Sequence, residues 1–132
     1  MVDRIDMMIE VPKVKVDDFT LKTKTRAIEN SQTIALRVKK AREIQLQRFE
    51  GLKITSNSQM SSKEIQIFCI LDEESEKMMK QALQTMNLSA RAYFRVLKLA
   101  RTIADLEGSQ NIQVFHIAEA LSYRKGGELI FK

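Results

Sequence analysis

The strongest hydrophobic pattern along the chain lies in residues 88–108, LSARAYFRVLKLARTIADLEG. Tyr93, Val96, Leu97, Ala100, Ile103 and Ala104 recur at helical spacing, and Ala92, Val96, Leu99, Ile103 and Leu106 form a second stripe beside them. Ser89 is a good N-cap and Gly108 a good C′ residue. Only a narrow strip is polar: Arg91, Arg95, Lys98, Thr102 and Asp105. A helix that is apolar around most of its circumference packs against several neighbours at once. The pattern therefore predicts the central helix of a small all-α domain.

Weaker patterns place its neighbours. A first long helix is expected over 31–49, ahead of Gly51, with a modest apolar face of Ile34, Val38, Ala41 and Phe49 interrupted by Gln45. Residues 51–60 read as a loop. Ser61 and Glu64 have the spacing of a capping box, opening a short helix with Ile65, Phe68 and Cys69 on one face. Asp72 caps the next helix, and Glu73, Glu74 and Glu76 suit its first turn. Met79, Ala82, Leu83 and Met86 give that helix a core face, and Asn87 and Leu88 make a tight join to the central helix. A last helix is expected over 114–124, buried through Val114, Ile117, Ala118 and Leu121 and stopped by Gly126 and Gly127. The sum is a small helical bundle of about four to five helices.

At the N-terminus the period changes. Ile5, Met7, Ile9 and Val11 alternate with Asp6, Met8 and Glu10, which predicts a short strand over 5–11 ended by Pro12. No second convincing strand follows. An unpaired strand is unstable, so the reading favoured here is that its sheet belongs to a preceding domain. Residues 12–30 form a polar, basic connector, and residues 126–132 a tail.

Composition narrows the classes. The 132 residues suffice for one domain with a core, and 44% of them are hydrophobic. Four glycines and one proline favour helices over a many-stranded fold. No apolar run approaches the roughly 20 residues of a membrane span. The acidic N-terminus does not read as a signal peptide. A single cysteine, Cys69, suits a reducing, cytoplasmic setting. The net charge of +5 permits a polyanionic partner without requiring one.

Complete catalytic signatures are missing. There is no phosphate-binding glycine loop, no dinucleotide fingerprint and no nucleophile elbow. His116 is the only histidine, so a metal site or a triad base is not expected. By itself the chain does not read as an enzyme. Two features remain. Arg37, Lys39, Lys40, Arg42 and Arg48 make the first helix basic, either as a phosphate-binding face or as a solvated one. Arg91 falls at about the second position of the central helix, where a cation opposes the helix dipole at a cost of roughly 0.3–1 kcal/mol. Free N–H groups and an arginine together suit an anion such as phosphate; the plain alternative is an exposed arginine paired with a nearby carboxylate.

Three stretches together resemble one family. DRID at 3–6 with MMIEVPKV after it, the pattern Ala41-Arg42-x-x-Gln45-x-x-Arg48-Phe49, and LSARAYFRVLKLARTIADLEGS followed by His116-Ile117-Ala118-Glu119-Ala120-Leu121 are similar to magnesium-chelatase-like AAA+ ATPases of the ComM/YifB type. The resemblance runs from about residue 1 to Arg124, and its 88–109 block is the most specific part. It implies that residues 1–15 are the last strand of an AAA+ core, 16–30 a connector, 31–125 a C-terminal helical lid and 126–132 a tail. Arg91 matches the sensor 2 position, which reaches the γ-phosphate of ATP on the same subunit. Arg4 matches a position that serves related proteins as an arginine finger toward the neighbouring subunit. Arg95, and more weakly Lys98, share the strip with Arg91 as nucleotide-binding candidates.

The same resemblance implies a longer parent that binds ATP and Mg2+ through upstream segments, works as a hexameric ring and remodels DNA, as a competence-related branch-migration helicase. Its partners would be the core of the same polypeptide, neighbouring subunits and DNA, and not a membrane. Taken alone, the chain is expected to be monomeric, to bind no metal and to hold no nucleotide tightly. The alternatives are a free-standing helical DNA-binding module and the lid of a magnesium-chelatase subunit. The opening Met1-Val2 and the ending GELIFK depart from the family pattern.

Overall fold

A computed structural model describes residues 5–11 and 30–124. Five helices follow one another: α1 (Ser31–Arg48), α2 (Ser62–Phe68), α3 (Glu73–Thr85), α4 (Ala90–Glu107) and α5 (Val114–Ser122). A 3-10 turn, Asn57–Gln59, stands between α1 and α2. No strand or sheet forms among the described residues; one isolated parallel bridge joins Leu71 to Ile112. The fold is the small all-α bundle that the sequence implies.

Local chemistry sets the helix ends. Asn30 caps α1 by accepting the Thr33 N–H at 2.8 Å, and Asp72 caps α3 by accepting the Ser75 N–H at 2.8 Å. Ser61 and Glu64 form the expected capping box of α2. Asn87 turns the chain between α3 and α4 at φ 52°, a conformation that a short polar side chain tolerates. Ser89 then opens α4, its hydroxyl accepting the Ala92 N–H at 3.1 Å. At the far end Gly108 adopts φ 80°. Its N–H reaches the Asp105 carbonyl while that of Ser109 reaches Ala104, the two bonds of a Schellman closure.

α4 is the centre of the bundle. Ala92, Ala100 and Ala104 are fully buried on it, so α5 lies close, through Ile117, Ala120 and Leu121. Met79 and Ala82 bring α3 onto the same core. Among the described residues, α1 packs on the core through its last two turns. Ala41 and Phe49 are buried, and the Phe49 ring meets Phe68 of α2 edge-on at 5.3 Å. Residues 31–40 are exposed throughout.

The apolar face expected on α1 is not the one that packs. Ile34 and Val38, expected on the buried face of α1, are exposed, and Gln45, expected to interrupt that face, is buried. The polar strip of α4 is not a solvated edge at its C-terminal end. Asp105 is buried, with its side chain fully sequestered, and forms the hub of a polar cluster. Arg48 donates two hydrogen bonds to the Asp105 carboxylate, at 2.6 and 2.8 Å. Asn57 donates to it at 2.8 Å, and Arg101 stands 3.3 Å away. The Asn57 N–H in turn donates to Gln45 Oε1 at 3.0 Å. α1, the 3-10 turn and α4 are thus joined by hydrogen bonds where an aliphatic contact was expected.

The strand expected over 5–11 does not form: the segment bends at Asp6, and among the described residues no second strand is present to complete a ladder with it. It lies against the end of α5: the Met8 N–H donates to the Tyr123 carbonyl, and Arg124 donates to the Ile5 carbonyl at 3.2 Å. Residues 16–29 of the connector expected over 16–30, the tail at 126–132 and Arg4 lie outside the described residues.

Candidate functional site: the polar strip of the central helix

The strip on α4 runs Arg91, Arg95, Lys98, Thr102, Asp105, with steps of four and three residues that keep it on one face. Helical phasing is what gathers these charges, because the remaining faces of α4 are committed to the core. Each member meets a different environment.

Arg91 is exposed in the first turn and has no hydrogen bond or ion pair with any described residue. Ser89 satisfies the N–H of Ala92. The N–H groups of Ala90 and Arg91 lie in the first turn, where no earlier helical carbonyl can reach them. A guanidinium and helix N–H donors therefore share one end of α4.

Arg95, one turn further, forms an ion pair with Asp6 of the N-terminal segment. Lys98 donates to the Ser58 carbonyl at 3.3 Å. Between them lies a small cleft of about 150 Å³, walled by Asp6, Ser58, Leu99 and Thr102. Thr102 is turned inward; its hydroxyl donates to the Lys98 carbonyl at 3.0 Å and accepts from Asn57 at 3.1 Å. At the inner end, burial lowers the pKa of the Arg101 guanidinium while Asp105 opposes that shift.

The other candidates are structural. Both nitrogens of His116, which is buried, are in use. The Gln113 N–H donates to Nδ1 at 2.9 Å, which leaves the proton on Nε2 to donate to Glu107 at 2.7 Å. Cys69 is buried, and desolvation pushes its thiol up to about 11, so it is no nucleophile at neutral pH. No three His, Cys, Asp or Glu side chains converge among the described residues as a metal site would need. No helix among them is long and apolar enough to cross a membrane. Of the basic residues expected on α1, Arg48 is drawn into the Asp105 cluster, whereas Lys39, Lys40 and Arg42 are exposed.

Sequence reasoning brought Arg91, Arg95 and Lys98 to one face, and the structure keeps them there. It missed the partners: Asp6 for Arg95, and Gln45, Arg48 and Asn57 for Asp105. The one local signal for the second group is the opposite-charge spacing of Arg101 and Asp105, four residues apart on an otherwise apolar helix.

Residues 28–124 match the family described as magnesium chelatase, subunit ChlI C-terminal. The chain is 40% identical over 130 residues to the competence protein ComM of Haemophilus influenzae, covering 98% of this chain and 24% of that protein. It is 39% identical over 122 residues to the uncharacterized protein YifB of Escherichia coli, covering 92% and 23%. The YifB protein of Salmonella typhimurium is 36% identical over 122 residues, with the same coverage. The chain thus spans about a quarter of the length of these relatives.

Proposed function

This chain belongs to the family of magnesium chelatase subunit ChlI C-terminal domains, as the lid of a ComM/YifB-like AAA+ protein, and from that premise we propose that it supplies Arg91 to ATP hydrolysis as a sensor 2 residue. The observation that carries the reading is the state of the strip. Arg95 is held by Asp6 and Lys98 by a backbone carbonyl, while Arg91 is exposed and has no such contact among the described residues.

The chemistry fits the residues. Phosphoryl transfer is catalysed mainly by positioning and by cations placed where negative charge develops. A guanidinium remains charged at any working pH and can bridge two phosphate oxygens. The free N–H groups of the first turn of α4 add donors in the same direction. Bound ATP supplies the phosphoryl group; Arg91 orients and neutralises its terminal phosphate. The described residues offer no carboxylate cluster for Mg2+, which would be held by upstream segments of a longer polypeptide. Arg4 is proposed as an arginine finger acting on the nucleotide of a neighbouring subunit in a hexameric ring. The exposed cations Lys39, Lys40 and Arg42 on α1 support a DNA-remodelling motor, a branch-migration helicase, as the parent activity. They equally support the second reading, a free-standing DNA-binding module.

Mixed rings of the longer polypeptide test the assignment. Arg91→Ala should inactivate its own subunit. Arg4→Ala should be rescued by neighbours that keep Arg4 but carry a dead ATP site. If both variants hydrolyse ATP like the wild type, and the 132-residue chain alone binds DNA with a steep salt dependence, the DNA-binding module replaces the lid reading.

A further inference from the structure

Arg95 sits one turn from Arg91 on the same face, yet its guanidinium is already taken by a carboxylate from the far end of the chain. The contact is one of three that converge on a short stretch. Asp6 pairs with Arg95 of α4, the Ile5 carbonyl accepts from Arg124 just beyond α5, and the Met8 N–H donates to the Tyr123 carbonyl. Arg124 is 5% exposed and Arg95 is half-buried, so two cations of the bundle close on the segment, one from α4 and one from just beyond α5. Residues 5–8 are otherwise exposed, except for the half-buried Met8, and have little apolar burial of their own. Polar contacts therefore set their position.

We propose that Asp6, Arg95 and Arg124 form a clamp that fixes the N-terminal segment to α4 and α5, and that Arg95 is a positioning residue rather than a phosphate ligand. The mechanical part of this proposal rests on the reading of Arg91 given above. A rotation of the bundle that follows the phosphate at Arg91 then carries residues 5–8 with it. Because Asp6 neutralises Arg95, the phosphate end of the strip is left to Arg91.

Charge exchange separates the clamp from a ligand role. Hydrogen exchange of residues 5–8 is measured first, on the 132-residue chain. Asp6→Lys and Arg95→Glu should each speed exchange by about two- to fivefold, the range of a partly exposed ion pair. The double exchange, Asp6→Lys with Arg95→Glu, should return it to the wild-type rate. Wild-type exchange equal to that of a free peptide of the same sequence overturns the clamp. In the longer polypeptide, each single change should lower kcat with the KM for ATP unchanged, and the double exchange should restore kcat. A raised KM that the double exchange fails to restore makes Arg95 a phosphate ligand and overturns the positioning role. A wild-type polypeptide that hydrolyses no ATP overturns the function proposed above, while the exchange data still decide the clamp.

Discussion

Removing the carboxylate at the hub of the bundle should be far more damaging than a surface ion pair would suggest. The Asp105 side chain is 0% exposed, and its arginine neighbours Arg48 and Arg101 are 12% and 6% exposed. Asp105→Ala leaves two sequestered guanidinium groups side by side with no counter-charge, and strips Asn57 of an acceptor. Breaking a buried pair from one side costs about 3–5 kcal/mol, a large fraction of the roughly 5–15 kcal/mol that holds a domain of this size together. Urea unfolding of the chain, followed by circular dichroism at 222 nm, reads the loss directly. Replacing the pair together, Arg48→Met with Asp105→Leu, should cost less than Asp105→Ala alone, because no charge is orphaned on the Arg48 side. A midpoint for Asp105→Ala within about 0.5 kcal/mol of wild type, the range of an ordinary surface change, would refute this account of how α1 is attached.

Other consequences follow from single groups. Cys69, buried and with its thiol up to about 11, should react with a thiol reagent at pH 8 about a hundredfold more slowly in the folded chain than in urea, because so little thiolate is present; equal rates would mean the site opens freely. The hydrogen bond donated by the Ser75 N–H holds the Asp72 carboxyl below its ordinary value, and one from the Ser61 hydroxyl does the same for Glu64. The stabilisation these caps give is therefore present above the unfolded-state carboxylate pKa and is lost as pH falls through the lower folded values. Asp72→Asn keeps a good cap and should flatten part of the acid limb of a stability–pH curve; an unchanged limb contradicts the assignment. Gly108→Ala meets no steric neighbour, so it should cost only the strain of φ 80°, about 1 kcal/mol by calorimetry.

What the sequence made legible is what is decided locally. Ser89 and Gly108 bound α4, Ser61 with Glu64 opens α2 and Asp72 opens α3, because caps act within a few residues of themselves. The core face of α3 follows from spacing in the same way, Met79 and Ala82 being buried. The attachment of α1 was not legible. Ile34 and Val38 are as apolar as any core residue, but their part of the helix has no described neighbour covering it. Gln45 is buried because Asn57, twelve positions on, presents an N–H to it. Likewise the partner of Arg95 lies 89 positions away, and no periodicity links two residues so distant. At the candidate site the family pattern found the cations, but only the fold shows which of them are engaged.

The most direct test of the central claim is the steady-state ATPase rate of the longer polypeptide carrying Arg91→Ala, beside Lys77→Ala as a control from the exposed face of α3. Loss of a donor that acts in the transition state lowers turnover by about a hundredfold or more. The account predicts that loss for Arg91→Ala, with the chain still folded and the Lys77→Ala rate at the wild-type level. An Arg91→Ala rate equal to that of the wild type would contradict it.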